Sequence, residues 1–154
     1  MILKNFWYVA AEPEEVGNTP MARTICNEQI VFWRSQDGTP VAFEDRCCHC
    51  RMPLRKGVVS GDRLQCHYHG LEFDIAGRCV HVPGQSTVPP DARVHTYPVL
   101  ERYNWVWIWI GDPALADPSE IVPYPWRTSE DWGDQGTHFH VNCDYRLIVD
   151  NLLD

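Results

Sequence analysis

The chain has 154 residues, 44% of them hydrophobic and 22% charged, with a formal net charge of −8. That length suits one domain, or one domain with a fragment of a second, and it can bury a core without disulfide staples. The acidic balance argues against a nucleic-acid partner, which needs clustered Lys and Arg, and no run approaches the roughly 18 apolar residues of a membrane span, so a soluble protein without membrane contact is expected.

In chain order, residues 1–11 read as a first strand. Lys4 sits inside the apolar stretch, which is short and runs at once into Glu12-Pro13-Glu14-Glu15, so a targeting segment is not indicated. Residues 29–34 and 40–43 flank Asp37-Gly38 as a hairpin. Residues 63–65 follow Gly61-Asp62, and 71–75 and 78–82 flank Ala76-Gly77, giving further antiparallel hairpins. Residues 93–101 and 105–110 make another pair. The second, Trp-Val-Trp-Ile-Trp-Ile, is apolar throughout and suits a strand covered on both faces, with its tryptophans as core. Residues 111–136 are broken by prolines and read as an irregular crossing segment with one helical turn at 118–121. Residues 137–143 alternate like a strand, and 145–154 turn to a helical pattern that stops without a capping signal, which reads as truncation. The pattern predicts small antiparallel sheets packed as a β-sandwich or barrel, with loops projecting from hairpins.

Two of those loops carry the chemistry. Cys47-Cys48-His49 is followed, after sixteen residues, by Cys66-His67-Tyr68-His69-Gly70. C-x-H and C-x-x-H supply two thiolates and two imidazoles, a set that holds a [2Fe–2S] cluster in which His replaces Cys on one iron. Neutral imidazoles leave the cluster less negative, so its potential rises to roughly −150 to +300 mV, against about −400 mV for an all-Cys plant-type cluster. A zinc site from Cys47, Cys50, Cys66 and His69 is the rival, and a redox-inert zinc-binding interaction module would follow from it. His49 has no place in that set and a place in the cluster. Seven cysteines are an odd number, and the five outside the cluster set (Cys26, Cys48, Cys50, Cys79 and Cys143) read as reduced thiols of a cytoplasmic protein. Tyr68 is placed to donate its hydroxyl to a cluster sulfur, with a packed loop tyrosine as the plainer alternative. His138 and His140 alternate on one expected strand face and read as a surface or core pair; His67, His81 and His95 have no assigned role.

The segments Phe6-Trp7-Tyr8-Val9-Ala10-Ala11, Asp45-Arg46-Cys47-Cys48-His49, Tyr68-His69-Gly70-Leu71-Glu72-Phe73, Trp107-Ile108-Trp109-Ile110-Gly111-Asp112-Pro113-Ala114 and the run from Tyr145 to Asp154 carry a wider resemblance. The whole chain resembles the N-terminal portion of the oxygenase component of Rieske non-heme iron aromatic oxygenases, in the branch of vanillate and dicamba O-demethylases and toluenesulfonate methyl-monooxygenase. The resemblance implies an all-β Rieske-type sandwich with a cluster-binding subdomain over 1–112, an interdomain segment over 113–136, and the start of an α+β catalytic domain over 137–154. It implies that Cys47 and Cys66 bind one iron and His49 and His69 the other, and that Pro83 lies in a loop shielding the cluster. It implies electrons from an NAD(P)H-dependent reductase or ferredoxin, an aromatic small-molecule substrate, and a homotrimer in which Asp154 bridges a cluster His to an iron-binding His of a neighbour. A mononuclear Fe(II) is implied for a full-length protein only, since its two-His-one-carboxylate ligands match nothing in these 154 residues. Cys48, Cys50 and Arg51 depart from the family pattern. A stand-alone Rieske ferredoxin is the competing class, and the interdomain segment and final helix are what it would not need. The acidic surface reads most simply as solvated, ahead of any steering of a basic electron donor.

Overall fold

The computed structural model describes residues 2–133, 136–137 and 139–154. Eleven short strands, most of them carrying β-branched or aromatic residues, form three antiparallel sheets among the described residues. Strands β1 (Phe6–Ala11), β11 (Trp105–Ile110) and β10 (Val99–Arg102) make the first, in the order β1-β11-β10. Strands β2 (Met21–Ile25), β3 (Glu28–Arg34), β4 (Pro40–Glu44) and β9 (Thr96–Tyr97) make the second, and β5 (Val58–Ser60), β6 (Arg63–Gln65), β7 (Glu72–Asp74) and β8 (Cys79–His81) the third.

The second sheet is the wall between two cores. Ile30, Val31, Phe32 and Trp33 of β3 are all buried, and because side chains alternate along a strand they divide between its two faces. Val31, Trp33, Val41 and Phe43 face a core shared with Leu54, Leu64 and Phe73 of the third sheet's region, whereas Ile30, Phe32 and Ala42 face a core with Val106, Ile108 and Ile110 of β11. The both-faces-covered expectation for β11 holds, since every residue from Val106 to Ile110 is buried.

The strand expected over 93–101 is divided. Its first part pairs with β4 (Ala42 with Tyr97) and its second with β11 (Val99 with Ile108). Pro98 stands at the break, where a missing N–H ends one ladder while its carbonyl accepts the N–H of Trp109 at 2.9 Å.

The crossing segment is irregular, as its prolines require, with three one-turn 3-10 helices at Pro113–Leu115, Pro118–Glu120 and Pro125–Thr128. Asp112 and Asp117 cap the first two by accepting the N–H groups of Ala114 and Ser119. The segment is seated on the first sheet. Ile121 is buried, Trp7 Nε1 donates to the Asp117 carbonyl at 2.9 Å, and Arg127 lies 4.0 Å from the Trp105 ring while pairing with Glu12.

The strand expected over 137–143 is not formed among its described residues. They are exposed, Phe139 by 83%, and no strand edge pairs with them, so alternation alone had nothing to bind. His138 lies outside the described residues. Helix α1 (Tyr145–Leu153) follows, capped by Asp144, whose carboxylate accepts the N–H of Arg146 at 3.0 Å. No helix among the described residues is long and apolar enough to cross a membrane.

Candidate metal centre

The two ligand loops lie at the ends of short strands, and their backbones are equivalent. Cys47 N–H donates to the Met52 carbonyl at 2.9 Å and Arg51 N–H to the Cys47 carbonyl at 3.0 Å. In the second loop Cys66 N–H donates to the Leu71 carbonyl at 2.8 Å and Gly70 N–H to the Cys66 carbonyl at 3.0 Å. The loops therefore correspond residue for residue, 47–52 to 66–71, and the fifth position is left-handed in both, with φ of +59° at Arg51 and +74° at Gly70. In this register Cys47 matches Cys66, His49 matches Tyr68 and Cys50 matches His69.

Equal backbones put equal positions at equal depths. Cys47 and Cys66 are each 1% exposed and belong to one core with Leu54, Leu64 and Phe73. Burial pushes the Cys47 thiol up to about 12, the His49 backbone N–H pulls against that, and the neighbouring Cys66 adds to the rise. A thiol so placed stays protonated at neutral pH until a metal takes the proton's place. His49 and His69 stand at the exposed rim, their ring centroids 4.7 Å apart. Cys50 joins them, its Sγ 3.8 Å from His69 Nδ1, and the donor atoms of His49, Cys50 and His69 all lie within 4.8 Å of one another.

This donor set fits a two-metal cluster better than a single zinc. Two thiols lie sunk in apolar surroundings and two imidazoles stand together at the surface. A tetrahedral ion would need Cys50 from the rim and would leave His49 idle beside it.

Three neighbours hold the loops. Asp45, buried just before Cys47, accepts the Arg55 N–H at 2.7 Å and forms an ion pair with the Arg55 guanidinium, so one carboxylate ties both ends of the first loop. Leu54, fully buried in the turn between, anchors the same stretch. On the second loop, a Cβ at Gly70 would come 2.9 Å from Pro83 Cγ, so Pro83 packs directly against the loop backbone and needs glycine there. Tyr68 is 59% exposed and lies over the His69 ring at 4.0 Å; its hydroxyl makes no hydrogen bond among the described residues.

The other histidines fall elsewhere: His67 and His81 are exposed, His95 packs edge-on to Tyr97 at 4.7 Å, and His140 is exposed. Asp150 and Asp154 are exposed on α1 and at its end, away from any buried partner among the described residues. The Asp45 to Arg55 clamp was missed by the motif reading. Its only sequence signal was an acid two residues before a ligand, with an Arg eight residues after that ligand.

Comparison with known proteins agrees with this geometry. The Rieske [2Fe-2S] domain family matches residues 6–98. The chain is 46% identical over its whole length to the toluene-4-sulfonate monooxygenase system iron-sulfur subunit of Comamonas testosteroni, and 45% identical over 99% of its length to the dicamba O-demethylase oxygenase component of Stenotrophomonas maltophilia. It covers 45% of each of those proteins, and so spans a little under half the length of these relatives. The crystal structure of dicamba monooxygenase bound to dicamba superposes with a TM-score of 0.93 at 44% identity, over 97% of this chain and 45% of that one. With two buried cysteines, two paired histidines and this match, the chain belongs to the Rieske [2Fe–2S] domain family, whose domain binds a [2Fe–2S] cluster.

Proposed function

We propose that this chain is the electron-relay portion of the oxygenase component of an aromatic-compound monooxygenase, of the O-demethylating or methyl-hydroxylating kind. The observation that carries the reading is the pair of equivalent loops, which sinks Cys47 and Cys66 in the core and brings His49 and His69 together at the rim. In this reading Cys47 and Cys66 would hold one iron of the cluster, and His49 and His69 the other. When bound, the cluster takes up and passes on one electron at a time, at a potential raised by its imidazole ligands.

The chain's own residues supply the setting. The apolar floor of Leu54, Leu64 and Phe73 excludes water from the thiolate side, and Pro83 covers the backbone of the second loop. The imidazole edge stays open to an acceptor. Tyr68, lying over His69, restricts that ring's rotation.

The parts divide as a Rieske domain over 1–112, an interdomain segment over 113–136 and the beginning of a catalytic domain over 137–154. Support for that division comes from the exposed apolar side chains Leu147, Leu152 and Leu153 of α1, which a larger body would cover. The remaining length of a full protein would hold the mononuclear Fe(II) and the aromatic substrate. Asp154 would bridge a cluster His to an iron-binding His of the neighbour in a cytoplasmic homotrimer, and an NAD(P)H-dependent reductase or ferredoxin would donate the electrons. The named activities of the relatives, on toluene-4-sulfonate and dicamba, indicate the substrate class.

Iron and acid-labile sulfide analysis tests the site. The expected result is about two irons and two sulfides per 154-residue chain, with a visible spectrum bleached by dithionite. A colourless protein holding one zinc would overturn the assignment.

A further inference from the structure

Charge is divided unevenly along this fold. Residues 46–93, which carry both ligand loops, the third sheet and the Pro83 loop, hold seven Arg or Lys against four Asp or Glu, whereas the remainder holds six against seventeen. The cluster-bearing part is therefore +3 on a chain of −8, and the rest is −11. A docking protein senses charges within a Debye length, about 8 Å at physiological salt, so the net acidity of the chain misdescribes this end.

Most of the basic side chains here are already matched. Arg63 pairs with Glu72, Arg78 with Asp74 and Arg55 with Asp45. Beside the first loop an open concavity of about 370 Å³ is lined by Glu28, Glu44, Asp45, Arg46, Arg51 and Pro53, among others. Each acid in it has its own cation: Glu28 has Lys4, Glu44 has Arg46 and Asp45 has Arg55. Arg51 is the charge left over, exposed and with no ion-pair partner among the described residues.

The backbone gives an independent reason to single out the same residue. Arg51 holds φ +59° at the position where the equivalent loop has Gly70 at +74°. Glycine meets that conformation without strain and arginine does not. A side chain kept at a disfavoured backbone position, with no ion-pair partner among the described residues, points to a use outside the chain. Arg51 follows Cys50 directly and lines the concavity, whereas His49 and His69 do not.

We propose that Arg51, beside the Arg46–Glu44 pair, is the anchoring cation of a docking surface for an acidic electron-donor protein. The donor's reduced centre gives up one electron and the cluster gains it, and the imidazole edge is left free for the electron's exit. The inference rests on the electron-relay reading, and it reverses the steering of a basic donor that the net charge alone would suggest.

Stopped-flow reduction of the cluster-loaded protein tests it, with a reduced plant-type [2Fe–2S] ferredoxin, itself strongly acidic, as donor and dithionite as the small-molecule control. The ferredoxin rate is expected to fall roughly tenfold between about 50 and about 500 mM salt. At low salt Arg51→Gly should slow it by roughly three- to tenfold and Arg51→Lys should keep most of it, with full bleaching by dithionite in every variant. Arg51→Asn, which tolerates the left-handed backbone, is the second variant and should behave as Arg51→Gly does. A rate indifferent to salt, a rate raised by salt, or unchanged transfer in Arg51→Gly and Arg51→Asn would overturn the docking surface while the relay reading stands. A wild-type cluster that dithionite cannot reduce would bring down the relay reading itself.

Discussion

The two ligand loops share a backbone and differ in what they hang on it. Positions three to five read His49, Cys50, Arg51 in one and Tyr68, His69, Gly70 in the other, while the four backbone hydrogen bonds that close them match. The histidine is offset by one residue between the matched frames, and the two rings meet at a tilt of 53° with centroids 4.7 Å apart. The comparison also separates two duties. The second loop is braced by close packing, Pro83 against Gly70, and the first by a buried charge, Asp45 with Arg55.

The comparison breaks first at the cysteines. Cys47→Ser and Cys66→Ser occupy the same place in the two frames and should be equally severe, each abolishing bound iron and sulfide; a cluster surviving in one alone would show that the frames are unequal. Next in size is the brace of the first loop. Asp45→Asn leaves the Arg55 guanidinium without its buried carboxylate and should cost about 2 kcal/mol or more in denaturant unfolding. Arg55→Lys, which keeps a charge at a partly exposed position, should cost less.

The fifth position sharpens the contrast further. Gly70→Ala adds a methyl against Pro83 on a left-handed backbone and should destabilise by about 1–2 kcal/mol. Arg51→Gly should leave thermal stability unchanged or raise it by up to about 1 kcal/mol, because only the backbone requirement remains. Equal losses at both positions would mean that Arg51 is held by packing.

The smallest effect concerns Glu28, beside the first loop. Burial pulls its carboxyl upward, but hydrogen bonds from Lys4 and Tyr97 outweigh this and hold it below its ordinary value. Its folded pKa is thus depressed, so its contribution is present above the ordinary carboxylate pKa and is lost as the pH falls through the depressed one. Glu28→Gln should lower stability modestly at neutral pH, flatten the acid limb of the stability–pH curve and converge on the wild type at low pH.

The candidate ligands were legible because metal chemistry demands particular atoms at particular spacings, and the sequence pairs Cys47 with His49 and Cys66 with His69 at those spacings. The hairpins at Asp37-Gly38 and Ala76-Gly77 were legible through turn chemistry. Strand β2, Met-Ala-Arg-Thr-Ile, went unread because it is half exposed and lacks strict alternation. The division at Pro98 depends on two different neighbours, β4 and β11, that no local pattern names. The described residues of 137–143 show the converse, since alternation makes a strand only where an edge is available to pair. The left-handed Arg51 was hidden for a third reason. Arginine is an unexpected choice for that backbone, and only its match to Gly70 reveals the frame.

Trp33 gives the core a further consequence. It is one of seven tryptophans, is fully buried, and shares its core with Cys47 and Cys66. An iron–sulfur chromophore absorbs where indole emits, so light taken up by Trp33 would drain to a cluster held by these loops. Emission should be dim and return as iron is stripped by a chelator, giving the protein a built-in optical gauge of its own occupancy.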